Sequence, residues 1–160
     1  MSQDDTPEDH AATLERLAGM FSGLVPHNQA LGLKLIDFDR AGVAVMQLPY
    51  KPELVGNPDT GVLHGGAITS LIDATSGASV FLKIWSPMPI ATLDLRIDYL
   101  RPAEPQRDVI CKATCYRLTK NVAFVRAVAH QGQEDDPVAS SASTFMLSTR
   151  GVFAKIQEAT

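Results

Sequence analysis

The segment His64-Gly65-Gly66, with Asp73 nine residues after the histidine, holds residue types from which acyl chemistry can be assembled. Two successive residues without Cβ at the start of a helix leave its first backbone N–H groups open to close approach. The helix dipole adds partial positive charge at the same place. A carbonyl oxygen could accept those hydrogen bonds. During hydrolysis that oxygen becomes an oxyanion, and each preorganised donor then contributes on the order of 3 kcal/mol. Glycine pairs also serve plain loop-to-helix turns, and a histidine before a helix can simply shape its loop, so these residues alone leave both readings open.

Asp73 lies on a stripe of small and polar residues, Gly66, Thr69, Ser70, Asp73, Ser76 and Gly77, opposite Ile68, Leu71 and Ile72. The segment carries no Lys, Glu or Arg before Lys83, which a solvated helix face would usually have. Small residues instead suit close packing against another backbone, most simply a second copy of the same helix. A carboxylate shielded there can act as a general base or as a nucleophile. Seven residues of helix from Gly66 to Asp73 rise about 10 Å. A water held by the base must also lie about 3 Å from the carbonyl carbon, so one chain is not expected to serve one substrate with both groups. Antiparallel helices across a two-fold axis would set the glycines of one chain against Asp73 of the other, giving two composite sites per dimer.

The elements that position these groups are legible as periodicity. Thr6-Pro7-Glu8-Asp9 supplies a cap, a proline for the first helical position and acids for the first turn. Ala11, Leu14, Leu17, Ala18, Phe21 and Leu24 then predict an amphipathic helix over 6–26 that Pro26 ends. A hairpin is predicted over 33–49 around Asp39-Arg40-Ala41-Gly42, and the turn formers of 50–63 predict an irregular loop. Apolar spacing predicts a helix over 67–82, and four strands follow at 91–99, 108–118, 123–130 and 137–147. The fold class is α+β: an antiparallel sheet of about six strands wrapped around a central helix. Residues 1–5 form an acidic flexible tail, 28–149 the main domain and 150–160 a C-terminal tail.

The chain resembles hotdog-fold acyl-CoA thioesterases of the PaaI-like branch. The resemblance runs from about Asn28 to Leu147 and rests on Leu31-Gly32, Asn57, the run from Gly61 to Ala67, Asp73 and the run from Thr92 to Ala103. It implies that the Gly65 N–H polarises a thioester carbonyl, that Asn57 and His64 support the site, and that Asp73 of the partner chain activates water or attacks directly. Thr92 would help hold that water. Six residues separate Asn57 from His64 where some relatives have one fewer, so Asp59 is a second candidate for the loop role. Arg101, Arg117, Lys120 and Asn121 are the candidates for the CoA phosphates, and Gly66 for substrate contact. Phe21, Leu24, Val25, Leu54, Val80, Phe81 and Ile84 are the candidate acyl-pocket walls, suited to a medium-chain or aryl-acyl group. Homodimers pairing as dimers of dimers are implied. A catalytically silent acyl-CoA binding or sensor protein is the alternative.

Composition narrows the remaining classes. A chain of 160 residues with 45% hydrophobic residues suits one domain with a real core. A net charge of -4 provides no basic face for nucleic acid. No apolar run of membrane-spanning length and no signal peptide is read, so neither a membrane nor export is expected. Cys111 and Cys115 lie four residues apart in a predicted strand, about 13 Å, too far for a disulfide. Reduced thiols point to the cytoplasm. His10, His27 and His130 form no ligand cluster, so no metal is expected, and no cofactor beyond the CoA carried by the substrate.

Overall fold

The computed structural model describes residues 7–86 and 88–147. The expected tails at 1–5 and 150–160 lie outside them. The first helix, α1 (Pro7–Ala18), is shorter than its apolar spacing suggests, because the chain widens into a π-helical turn over Gly19–Gly23. Pro26 opens a further helix, α2 (Pro26–Leu31), where the sequence suggested a stop. A proline at N1 gives up an N–H that has no helical partner anyway. α2 ends at Gly32, whose φ of 75° is the left-handed cap conformation that glycine adopts without a Cβ penalty. His10 of α1 stacks on Phe38 and pairs with Asp37, fixing α1 to the first strand.

The hairpin β1 (Lys34–Asp39) and β2 (Val43–Leu48) turns where expected; Gly42 at φ 100° donates to the Asp39 carbonyl at 2.9 Å. Residues 50–63 are more ordered than their turn formers suggest, with a 3-10 turn at Pro52–Leu54 and a small ribbon of β3 (Val55–Asn57) and β4 (Val62–Leu63). Then come α3 (Gly65–Ile84), β5 (Ile90–Tyr99), β6 (Val109–Leu118), β7 (Val122–His130) and β8 (Ala139–Leu147). The main sheet has six antiparallel strands in the order β1-β2-β6-β7-β8-β5, with β1 and β5 at its edges.

α3 lies on the inner face of this sheet. Leu71, Ile72, Val80 and Leu82 are fully buried against inward positions of the strands, among them Met46, Leu48, Val109, Cys111 and Val125. Each such side chain contributes roughly 1.5–3 kcal/mol of burial, which holds the helix and everything on it in one register. By length and composition alone α3 would pass for a membrane span, contrary to the sequence expectation that no such stretch exists. More than half of its apolar window is buried inside the domain, as a core helix requires.

Ser76, read as part of the small and polar stripe that packs against a second copy, is instead fully buried within the chain, and its hydroxyl has no partner among the described residues. Cys111 and Cys115 are buried free thiols. Burial pushes the Cys111 thiol up to about 12, opposed weakly by a hydrogen bond with Thr75.

Candidate active site

His64 is the N-cap of α3, and its ring shapes the start of the helix: Nδ1 accepts the Gly66 N–H at 2.9 Å. That bond changes the expected role of the glycine pair. Gly66 has already spent its donor on His64, whereas the Gly65 N–H, in the first helical position, has no partner among the described residues. The Tyr99 hydroxyl donates to the Gly65 carbonyl at 2.7 Å and lies 2.8 Å from Thr69 Oγ1, which also bonds that carbonyl at 3.1 Å. Gly65 is thereby held while its donor stays open. It borders a cavity of about 490 Å³ together with Leu63, Ile68, Tyr99, Arg101 and Val138.

About 12 Å further along the same helix, Asp73 is half-buried and accepts a hydrogen bond from Thr92 Oγ1 at 2.9 Å. The contact depends on a β-bulge: the pairing of β5 with β8 shifts between Thr92 and Asp94, leaving Leu93 as the extra residue, 51% exposed. Bulges re-aim side chains in this way. Asp73 and Thr92 border a second cavity of about 590 Å³, walled by Gly77, Phe81, Phe145 and Ile90 and covered by Phe21 and Val25. Phe21 meets Phe81 edge-on, with ring centroids 5.3 Å apart. Gly65 and Asp73 therefore face different cavities of one chain, as the rise of the helix requires.

His27 belongs to this second cavity and was missed in the sequence, where it stands apart from every other polar group. Its Nε2 lies 3.1 Å from Ser70 Oγ, and Ser70 Oγ donates to the Gly66 carbonyl at 3.0 Å. With the Ser70 proton on that carbonyl, the His27 contact calls for the tautomer that carries its proton on Nε2. A contact across 43 residues leaves no local signal.

The other candidates separate. Asn57 is exposed; its Oδ1 accepts the Asp59 N–H at 3.0 Å and its carbonyl accepts the Gly61 N–H at 2.9 Å, so it organises its own turn, and neither it nor Asp59 borders the two cavities. Leu54 borders neither of these two cavities: its carbonyl accepts the His64 N–H at 2.8 Å, so its backbone sets the entry to α3. Val80 is fully buried, Ile84 packs on the core and Leu24 is 77% exposed, which leaves Phe21, Val25 and Phe81 as walls. Arg101 borders the Gly65 cavity, but its guanidinium is held by the Asp136 carboxylate, with Nε and Nη2 each 3.1 Å from an oxygen. Arg117, Lys120 and Asn121 are exposed at the opposite end of the sheet, where the Asn121 carbonyl accepts the N–H of Leu147, the β8 residue paired with Ile90.

A long helix wrapped by one antiparallel sheet, with an open N-terminal donor and a hydrogen-bonded carboxylate on the same helix, defines a hotdog-fold thioester hydrolase. Residues 60–138 match the model of the thioesterase superfamily. A solved structure from Pseudomonas aeruginosa is 44% identical, with a TM-score of 0.74 over 83% of this chain and 97% of that one. The medium/long-chain acyl-CoA thioesterase YigI of Escherichia coli is 29% identical over 84% of this chain and 93% of its own length. The Escherichia coli PaaI protein, 19% identical with a TM-score of 0.73 over 86% of this chain and 95% of that one, shares the fold.

Proposed function

We propose that this chain hydrolyses a medium-chain or aryl-acyl CoA thioester to the free acid and CoA, at two composite sites in a homodimer. The observation that carries this reading is the separation of the open Gly65 donor from the Thr92-bound Asp73 carboxylate into different cavities of one chain. Each half-site needs the other from a second copy. Of the two sheet edges, β1 is packed by α1, whereas β5, which runs between the two cavities, leaves Leu93 exposed, with Leu100 exposed just beyond its end. A sheet edge of this kind invites pairing with its own copy across a two-fold axis. Tyr116 and Met146, also exposed, support a further pairing of dimers. The activity of YigI supports CoA as the thiol, and two buried free thiols suit a reducing cytoplasm.

In the proposed reaction the thioester oxygen accepts the Gly65 N–H of one chain. Asp73 of the other takes a proton from water as the water oxygen bonds to the carbonyl carbon. The negative charge that develops on the thioester oxygen is met by the Gly65 donor and the positive end of α3. As the C=O bond re-forms, the C–S bond breaks; CoA leaves as a thiolate and takes up a proton. Thr92 holds one carboxylate oxygen, which leaves the other to orient water. No metal or redox partner is needed to balance these steps.

Thiol release from a panel of acyl-CoAs tests this reading with the native chain, Asp73→Asn and Asp73→Ala. Turnover is expected in the native chain only, with ester binding retained in Asp73→Asn. Binding without turnover in the native chain would make it an acyl-CoA sensor and overturn the proposal. Heavy oxygen from solvent entering Asp73 after a single turnover would make the carboxylate the nucleophile, through an anhydride.

A further inference from the structure

β5 addresses both ends of α3. Ile90 and Thr92 border the cavity beside Asp73, Leu95 and Ile97 pack on the core, and Tyr99 reaches Gly65. Thr92 and Tyr99 stand an odd number of positions apart, so in a regular strand they would face opposite sides of the sheet. The bulge at Leu93 absorbs one residue and turns both toward the helix. In the composite site proposed above, Tyr99 then stands beside Gly65 of its own chain and opposite Asp73 and Thr92 of the other.

Around Gly65 two hydroxyls serve one carbonyl. Tyr99 Oη is 2.7 Å and Thr69 Oγ1 3.1 Å from the Gly65 oxygen, and the two hydroxyls are 2.8 Å apart. Three contacts share two protons. Thr69 can satisfy the carbonyl from within its own helix, so the Tyr99 proton is free to turn elsewhere without leaving that carbonyl unpaired. Tyr99 is 49% exposed and borders the same cavity as Gly65. A Cβ on Gly65 would come 3.3 Å from Tyr99 Oη and 3.4 Å from its Cζ, so the missing side chain makes room for this ring. A Cβ lies about 2.5 Å from its own amide nitrogen, which puts the hydroxyl within about 6 Å of the Gly65 nitrogen. One oxygen about 2.9 Å from an N–H nitrogen and about 2.7 Å from a hydroxyl spans donors about 4.5–5.5 Å apart. Both donors can reach one thioester oxygen.

Resting on the hydrolytic reading above, we propose that Tyr99 is a further catalytic residue whose hydroxyl is the second donor to the thioester oxygen, beside the Gly65 N–H. When that oxygen arrives, the Tyr99 O–H turns to it from the Gly65 carbonyl, and Thr69 keeps the carbonyl. The exchange leaves no group unpaired. The new hydrogen bond strengthens as the oxygen becomes charged, so it favours the transition state over the bound ester.

Tyr99→Phe keeps the ring and removes the proton. For decanoyl-CoA kcat is expected to fall about 10- to 150-fold, the worth of a hydrogen bond to a charged group, with KM within about threefold of native. Circular dichroism and thermal melting check that the variant is folded. A tyrosine that acted only by holding Gly65 gives a different pattern. In a Gly65→Pro background, which lacks the N–H, such a residue has nothing left to position and Tyr99→Phe costs nothing further, whereas a donor in its own right still costs about 10-fold or more. Removing the hydroxyl also relieves the crowding at position 65, so a further fall reports a lost donor. Calorimetry reads the donor without turnover, using the trifluoromethyl ketone analogue of decanoyl-CoA, which presents a tetrahedral oxygen, and the thioether analogue, which has no carbonyl. Tyr99→Phe is expected to weaken the ketone about 10-fold or more and to leave the thioether unchanged. A folded Tyr99→Phe with native kcat and native ketone affinity, or one whose loss vanishes in Gly65→Pro, overturns the second donor and leaves hydrolysis standing. Ketone binding that depends on Tyr99, with no hydrolysis of any ester by the native chain, sustains the donor and overturns the hydrolytic reading instead.

Discussion

Removing the Gly65 N–H while keeping the helix start intact is a direct probe of the donor. Proline does this. Gly65 is the first helical position, where proline's fixed φ fits and its missing donor has no helical partner. The residue before a proline must be extended, and His64 already is, at φ -63° and ψ 132°. A Cβ at position 65 would sit 3.3 Å from the Tyr99 hydroxyl, a tight contact that Gly65→Ala shares, so alanine is the control for crowding. Losing one oxyanion donor costs about 2.7–4 kcal/mol, or roughly 100- to 1,000-fold in kcat. Gly65→Pro is therefore expected about 100- to 1,000-fold below Gly65→Ala in thiol release from decanoyl-CoA, with matching circular dichroism and melting temperatures. A folded Gly65→Pro within fivefold of Gly65→Ala would refute the assignment of this N–H.

Thr92→Val keeps shape but deletes the hydrogen bond to Asp73. A bond to a charged group is worth about 1.5–3 kcal/mol, so kcat is expected to fall about tenfold or more with little change in KM, and Thr92→Ser to recover most of it. Steady-state kinetics on the three proteins decides this. Stability should depend on His130, whose pKa is lowered chiefly by desolvation, with Glu134 opposing and Lys112 assisting. The unfolded chain then binds the proton more readily than the native one, so stability is complete above about pH 6.5 and declines as pH falls below it. His130→Gln should flatten the pH dependence of the melting temperature below about pH 6.5; an unchanged slope would remove His130 from the explanation.

Much of the fold was legible because it is written locally. Leu71, Ile72 and Leu82 recur at helical spacing, and the four later strands end within two residues of where their turn formers place them. The errors came where local signals conflict: Pro26 can end one helix or begin the next, and only the π-turn before it decides. Gly65 and Asp73 could be singled out from residue type and helix rise. Their partners could not be read from spacing. Thr92 reaches Asp73 across nineteen residues by way of a bulge with no sequence signature, and resemblance alone suggested it. His27 finds Ser70, and Phe21 finds Phe81, only after the N-terminal segment has folded over α3. The capture of the Gly66 donor by His64 is local, two residues apart, yet it depends on a ring orientation that residue type does not specify.

The shared site is tested most directly by mixing two inactive chains. Asp73→Asn and Gly65→Pro are each crippled alone; co-expressed with different tags, they form heterodimers in which the intact Asp73 of one chain meets the intact Gly65 of the other. Random pairing makes half the dimers hetero, with one good site of two, so a mixture should recover about one quarter of native activity and a purified heterodimer about one half. Purified heterodimers no more active than either parent would contradict composite sites and return both groups to a single chain.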